Sequence, residues 1–386
     1  MTFEQKLDLV YTIFSPSSPI ENPEMFIGRI TEIEKIRDTI EERGQHAIMY
    51  GKRGVGKTSV ANMVSNIFKN VIISKITCNR NDTYYSLWDK ALRNIKFTGS
   101  EKMIGYTAKM QQYETSLRLP DKKKADAHTI EKILRDIPDY SLFIFDEFDT
   151  IQDAKSRMQM ADTIKNLSDN VPNVTILLVG IADNITELIG QHPSIERCIK
   201  QIHIPLMSFE NAIDIIENGM GILKMEIMPD IASKIALYAS GYPHYIHQLC
   251  KFASKEAIYA KSNKVTNVHF NSAVQLSIEN SDHSLNQAFE AAVAASSAHN
   301  QFKHVIIAST LVDTDHNDTF SPEQVIEVFN TITQKNLKLE SINYNLGMLC
   351  KTERGDILQK TGNARNRRYK FRNPLMKAFI KLKLHE

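Results

Sequence analysis

The residues of this chain best suited to chemistry form the run Gly51-Lys52-Arg53-Gly54-Val55-Gly56-Lys57-Thr58. Its spacing, G-x-x-x-x-G-K-T, is that of a phosphate-binding loop. The flanks suit one: Ala47 to Tyr50 reads as a short apolar strand and Ser59 to Val64 as the start of a helix. Glycines let consecutive backbone N–H groups turn inward around a phosphate, and the following helix points the positive end of its dipole at it. Lys57 is then placed to reach the β- and γ-phosphates of ATP, for binding and for catalysis, and Thr58 to set its hydroxyl on Mg²⁺. Gly51, Arg53, Gly54, Val55, Gly56 and Ser59 complete the expected nucleotide cradle.

A second set of reactive side chains follows at Leu142-Phe143-Ile144-Phe145-Asp146-Glu147-Phe148-Asp149. Consecutive apolar residues read as a strand buried on both faces, as in a parallel sheet. The acidic pair at its end falls at the sheet edge where open α/β folds bind ligands. Asp146 is the expected Mg²⁺ partner, through the metal's water shell. Glu147 is the expected general base for the water that attacks the γ-phosphate. Asp149 reads as a helix cap for Thr150 onward. Thr175 to Gly180 is another buried-strand pattern, delivering Asp183 or Asn184 beside the γ-phosphate; capping of the next helix is the equal alternative for either.

These motifs carry a family resemblance. Phe26-Ile27-Gly28-Arg29 resembles the h-h-G-R box that opens AAA+ ATPases of the initiator (origin-recognition-like) and STAND-like signalling groups. The loop, the Asp146-Glu147 pair and the Val179–Asn184 strand end resemble Walker A, Walker B and sensor 1, in the order that superfamily uses. Ser194-Ile195-Glu196-Arg197 resembles the segment with the arginine finger, and Ser240-Gly241-Tyr242-Pro243-His244 the start of the lid helix with sensor 2. The match spans roughly residues 20–260. It implies nucleotide contacts from Gly28, Arg29 and His244, and a catalytic Arg197 supplied in trans, so a homo-oligomer. His244 departs from the arginine many relatives carry, which makes coupling of nucleotide to lid weaker or pH-dependent.

The elements that must position these groups are an α/β P-loop domain over 1–206, a helical lid over 207–284 and a winged helix over 285–386. The first is expected as a three-layer αβα domain with a five-stranded parallel sheet. Between the second strand (Val71 to Thr77) and the acidic strand, Asp82 to Pro138 reads as a helical insert holding Trp88 and the basic run Lys122-Lys123-Lys124. From Ser208 to about Ile278 apolar residues recur at helical spacing, and Asp282 to Ala298 reads as a connector. In the last segment, helices are expected around Val305–Leu311, from the capping box at Ser321-Pro322-Glu323-Gln324, and over Leu339–Cys350. Asp356–Lys360 and Arg368–Arg372 then read as a hairpin. The resemblance makes this a winged helix, with Arg365, Arg367 and Arg368 against double-stranded DNA and Asn343 and Asn345 facing a groove. Docking onto a protein is the alternative use.

Charge agrees with that placement. Residues 351–386 hold 11 Lys+Arg against 3 Asp+Glu, a net +8 on a chain whose total is +2, which suits contact with nucleic acid; a solvated basic surface is the bland alternative. No apolar run approaches the ~20 residues of a membrane span. Four scattered cysteines form no C-x-x-C pair, which suits a reducing cytoplasm and gives no structural zinc. The sequence thus reads as a Mg-ATP-dependent ATPase assembling on double-stranded DNA, as a loader, initiator or mobile-element regulator. The alternative is a STAND-like nucleotide-gated switch acting on a protein effector, as in antiviral defence.

Overall fold

The computed structural model describes residues 2–16, 26–68, 70–102, 110–116, 118–119, 125–182, 193–280, 283–294, 301–315, 318–362, 366–373 and 375–384. The chain divides into two compact units, one of Pro19–Pro205 and one of Met1–Ser18 with Leu206–Glu386.

Helix α1 (Phe3–Ile13) belongs to the second unit. The first unit begins with α2 (Ile30–Glu41) and β1 (His46–Gly51) and continues through α3 (Lys57–Ile67), β2 (Ile72–Thr77) and α4 (Tyr84–Arg93). After these come β3 (Lys96–Lys102), β4 (Met110–Ser116), α5 (Ala127–Arg135), β5 (Ser141–Asp146), α6 (Ala154–Asn170), β6 (Val174–Ile181) and β7 (Ile199–His203). Strands β2-β5-β6-β1-β7 form one sheet in that order, and every pairing in it is parallel. This is the expected αβα layering. Every residue of β5 is buried, as a continuous apolar run in a doubly covered strand requires. Trp88 of α4 packs on that strand, its ring 5.3 Å from Phe143 and 5.2 Å from Phe145.

The segment between α4 and α5 departs from the helical expectation. Lys96–Lys102 and Met110–Ser116 pair antiparallel, from Lys96 opposite Ser116 to Lys102 opposite Met110. These two runs lack a recurring apolar face at helical spacing and are rich in Thr, Ser, Gln and Tyr, so nothing local holds them as helices. The Lys122–Lys124 run lies outside the described residues.

In the second unit come α7 (Phe209–Leu223), α8 (Pro229–Ala239), α9 (Pro243–Tyr259) and α10 (Asn267–Glu279), in the segment expected to be the lid, with the short strands β8 (Glu226–Ile227) and β9 (Lys264–Val265) paired parallel. Helix α1 packs on α7 and α9, and Phe14 just beyond it is fully buried with its ring edge-on to His247. The chain continues through α11 (His283–Val293), α12 (Phe302–Leu311), α13 (Pro322–Thr333) and α14 (Leu339–Leu349) into an antiparallel hairpin, β10 (Leu358–Gly362) and β11 (Arg367–Phe371). Ser321 and Gln324 form the expected capping box at the head of α13. Phe289, Val305, Phe329, Leu346 and Phe379 share one core, closed by α15 (Met376–Lys383). Lys381 of α15 also donates to the Leu237 carbonyl at the end of α8, 3.2 Å away. No described helix is long and apolar enough to cross a membrane.

Candidate active site

The loop begins where β1 ends. Gly51 has φ +154°, and a Cβ built there would lie 2.5 Å from the carbonyl oxygen of Ile204, so only glycine lets the strand end pass so close to its neighbour. Gly56 sits in the left-handed region at φ 96° as the N-cap of α3. The turn between them delivers Lys57 as the first helical residue, so the loop and the N-terminus of α3 form one concave donor surface. Arg53 and Gly54 are exposed, Val55 is buried, and Ser59 is half-buried on the first turn of α3.

Lys57 is only 9% exposed, and its Nζ donates to the loop's own carbonyls, Gly51 at 2.9 Å and Lys52 at 2.7 Å. Burial lowers its pKa to about 8, against the opposing pull of the Asp149 and Asp146 carboxylates. A cation that is desolvated and hydrogen-bonds two neutral carbonyls is well suited to meet a phosphate.

Asp146 ends β5 and is 2% exposed. Its Oδ1 receives the Glu147 N–H at 3.0 Å and faces the Thr58 hydroxyl at 3.5 Å; its Oδ2 lies 3.4 Å from the ammonium of Lys75. A hydroxyl and a carboxylate so close are hard oxygen donors of the kind Mg²⁺ uses when phosphates and waters fill its other positions. The Lys75 ammonium already stands there as a cation beside the same carboxylate. The residues present therefore fit both groups, a nucleotide on the loop and a magnesium ion at Thr58 and Asp146. Among the described residues, no three His, Cys, Asp or Glu side chains form a metal site by themselves.

Glu147 adopts φ 58°, the left-handed region that non-glycine residues rarely enter, and its side chain is exposed. The strained turn breaks the pleat of β5, so two consecutive acids meet opposite environments, one buried against Thr58 and one open to solvent. Asp149 does not act as a helix cap. Its Oδ1 accepts the N–H of Ile181 at 2.8 Å and ties the end of β5 to the end of β6. The sheet edge required this bond, and no local sequence pattern marked it.

The remaining expected site residues are dispersed. Arg29 is 3% exposed; its guanidinium donates to the carbonyls of Val55 at 3.2 Å and Pro205 at 2.6 Å and pairs with Glu32 at 3.3 Å. It thus braces the phosphate loop from behind. Gly28 precedes it with φ 77°. Asp183 and Asn184 lie outside the described residues. Arg197 is at the N-terminal end of β7, paired with Asp169 at 3.0 Å, and its side chain is 72% exposed. His244, in the second unit, shares a hydrogen bond through Nδ1 with the Pro16 carbonyl, 2.9 Å away. In the hairpin, Arg367 is exposed and Arg365 lies outside the described residues. Arg368 turns to Asp315 at 3.1 Å and to Thr319, both to its carbonyl at 3.0 Å and to its hydroxyl. Asn345 is buried and donates to Gln301, and Asn343 is half-buried.

Sequence reasoning missed Lys75. The signal was present as a lone lysine in the middle of the strand Ile72-Ile73-Ser74-Lys75-Ile76-Thr77, where a charge needs a partner.

Residues 40–189 match the family model of an AAA domain. They span β1 to β6, and with them the loop, Thr58, Asp146 and Glu147. This part of the chain is an AAA domain with the α/β P-loop fold of an ATPase. The same fold extends to the ORC2 protein of Aeropyrum pernix, solved as ADPNP–ADP complexes, at 14% identity and TM-score 0.53, covering 97% of each chain. It extends also to a Walker-type ATPase of Pyrococcus abyssi, at 13% identity and TM-score 0.55, covering 96% of this chain and 99% of that one. The ORC1 protein of A. pernix, solved in complex with DNA, aligns over 97% of this chain and 96% of its own at 16% identity and TM-score 0.48. No curated protein sequence matches.

Proposed function

We propose that this AAA+ protein couples ATP binding and hydrolysis to the assembly of several copies on double-stranded DNA, as a loader, initiator or mobile-element regulator does. The observation that carries the reading is the joining of loop, Thr58, Asp146 and Glu147 at one sheet edge, in a chain that also carries three helices and a basic hairpin. In this reading Lys57 leaves the loop carbonyls for the nucleotide phosphates, and the N-terminus of α3 adds its dipole. Thr58 and Asp146 hold Mg²⁺, which when bound supplies positive charge at the phosphates. Exposed Glu147 takes the proton of the attacking water. Arg29 keeps the loop in shape, and Asp183 and Asn184, which follow β6, are the candidates for the polar group that senses the γ-phosphate.

Helices α12 to α14 with β10 and β11 serve as the winged helix, and its exposed Arg367, with Arg365, meets the DNA backbone. Arg197 acts from a neighbouring copy.

Steady-state ATP turnover of the full chain, with and without duplex DNA, tests the proposal, with Glu147→Gln as the blank. Expected are binding without turnover in Glu147→Gln and stimulation of the wild type by duplex. Normal turnover in Glu147→Gln would remove the base from its role. Slow turnover indifferent to duplex would replace DNA assembly with a nucleotide-gated switch on a protein effector.

A further inference from the structure

We propose that Lys75 is a built-in counter-cation of the metal-binding carboxylate: it competes with Mg²⁺ for Asp146 and so sets the magnesium concentration at which this ATPase holds nucleotide. The inference rests on the reading of the loop as a Mg-ATP site and adds to it a residue that no motif includes.

The placement follows from the sheet. Strands β2 and β5 are parallel neighbours, with Lys75 opposite Ile144 and Thr77 opposite Asp146. Side chains two apart on a strand share a face, so Lys75 and Asp146 are diagonal neighbours on one side of the sheet, within reach of a long side chain. Ser74 and Ile76, on the other side, meet α4 and the Trp88 core. Helix α3 covers the face of Lys75 and Asp146 and sets Thr58 and Asn62 four residues apart, one turn, on its own inner face. Thr58 approaches Asp146 Oδ1, and the Asn62 side-chain carbonyl accepts from the Lys75 ammonium. The four polar groups close a ring, Thr58–Asp146–Lys75–Asn62, across three elements.

Within this ring both carboxylate oxygens are engaged. Oδ1 has the Glu147 N–H and the Thr58 hydroxyl, and Oδ2 has Lys75, with the Asp146 side chain 3% exposed and that of Lys75 20% exposed. Asn62 restrains the ammonium at its far side, so Lys75 is held and not merely drifting past. A dication entering between Thr58 and Asp146 meets a carboxylate whose charge is already balanced, and it meets a positive charge a few ångströms away in a partly desolvated site. Either Lys75 gives up Asn62 and withdraws to solvent, or the metal binds weakly. As a plain structural ion pair, the same contact would influence folding and leave the metal alone.

The experiment is a Mg²⁺ titration of the binding of a fluorescent methylanthraniloyl-ATP to the full chain, comparing wild type, Lys75→Met and Lys75→Arg. Expected is a fall of about tenfold in the Mg²⁺ midpoint for Lys75→Met, the scale of one opposing unit charge at a partly solvated site, and a midpoint near wild type for Lys75→Arg. If Lys75→Met does not fold, Asn62→Ala, which keeps the charge and removes its tether, should move the midpoint the same way by a smaller factor. A midpoint unmoved or raised in the folded variants overturns the role of Lys75 alone. A wild type that does not bind the analogue at saturating Mg²⁺ overturns the nucleotide reading beneath it.

Discussion

Lys57 shows how burial and binding are linked at a single residue. Its hydrogen-bond partners are two neutral carbonyls, so the ammonium has given up water for little compensation and its pKa stands at about 8 rather than 10.5. A phosphate in the loop favours the charged form and raises that value. Between the two, binding must take up a proton. The affinity for ATP at fixed free Mg²⁺ should therefore be level up to about pH 8 and then fall, approaching tenfold per pH unit, until the bound-state value is reached. Titrations of a fluorescent ATP analogue at pH 7, 8, 9 and 9.5 would show it, and a level profile across that range would mean the ammonium is less destabilised than its burial implies. The same shift acts on folding with its own sign. The unfolded lysine keeps its proton to about pH 10.5 while the folded one releases it from about pH 8, so this group's contribution to stability rises over that interval. Lys57→Ala should abolish nucleotide binding.

The hairpin β10–β11 makes the same point for an element, since two adjacent arginines on it are put to different uses. Successive residues of a strand point to opposite sides. Arg367 is exposed, and Arg368 is turned to Asp315 and Thr319, which ties the hairpin to the loop before α13. Arg367→Ala in the full chain should weaken duplex binding at every sequence and lower the slope of log affinity against log salt by roughly one. Arg368→Ala should leave that slope nearly unchanged and cost about 1 kcal/mol of stability, read by thermal denaturation, because the pair is partly solvated. Equal loss of slope from both would return Arg368 to the DNA-facing side. The sequence alone could not separate them: a run of basic residues announces a positive tip, but strand register decides which one is free. The phosphate loop was legible because its spacing is local, and β5 because four apolar residues before two acids leave few alternatives. Lys75 was not, because the adjacency of β2 and β5 is made by the sheet and leaves no mark on either strand. The β3–β4 hairpin was misread for a related reason, its polar strands showing no clear period.

At the scale of the whole molecule, the sheet decides whose active site Arg197 can serve. Strands β1 and β7 run parallel with His46 opposite Ile199, so Arg197 lies at the end where β1 begins, and the loop lies where β1 ends at Gly51. Five residues at ~3.3 Å each set these ends roughly 16 Å apart, beyond the reach of an arginine side chain. An Arg197 that touches a transferring phosphoryl group must therefore touch that of another copy. Its present partner does not prevent this: Arg197 and Asp169 are 72% and 45% exposed, and an ion pair that open to water is worth ~0–1 kcal/mol, so releasing it costs little. The consequence is testable by mixing two inactive variants. Arg197→Ala keeps Glu147 and lacks the finger; Glu147→Gln keeps the finger and lacks the base. Where an Arg197→Ala copy offers its site to a Glu147→Gln neighbour, one complete centre is formed, and random pairing at equal amounts makes about a quarter of sites complete. Recovery of turnover toward that fraction, from variants silent alone, requires a centre shared between copies. Silence of the mixture would place the finger elsewhere, and wild-type turnover by Arg197→Ala alone would deny it any role at the phosphate.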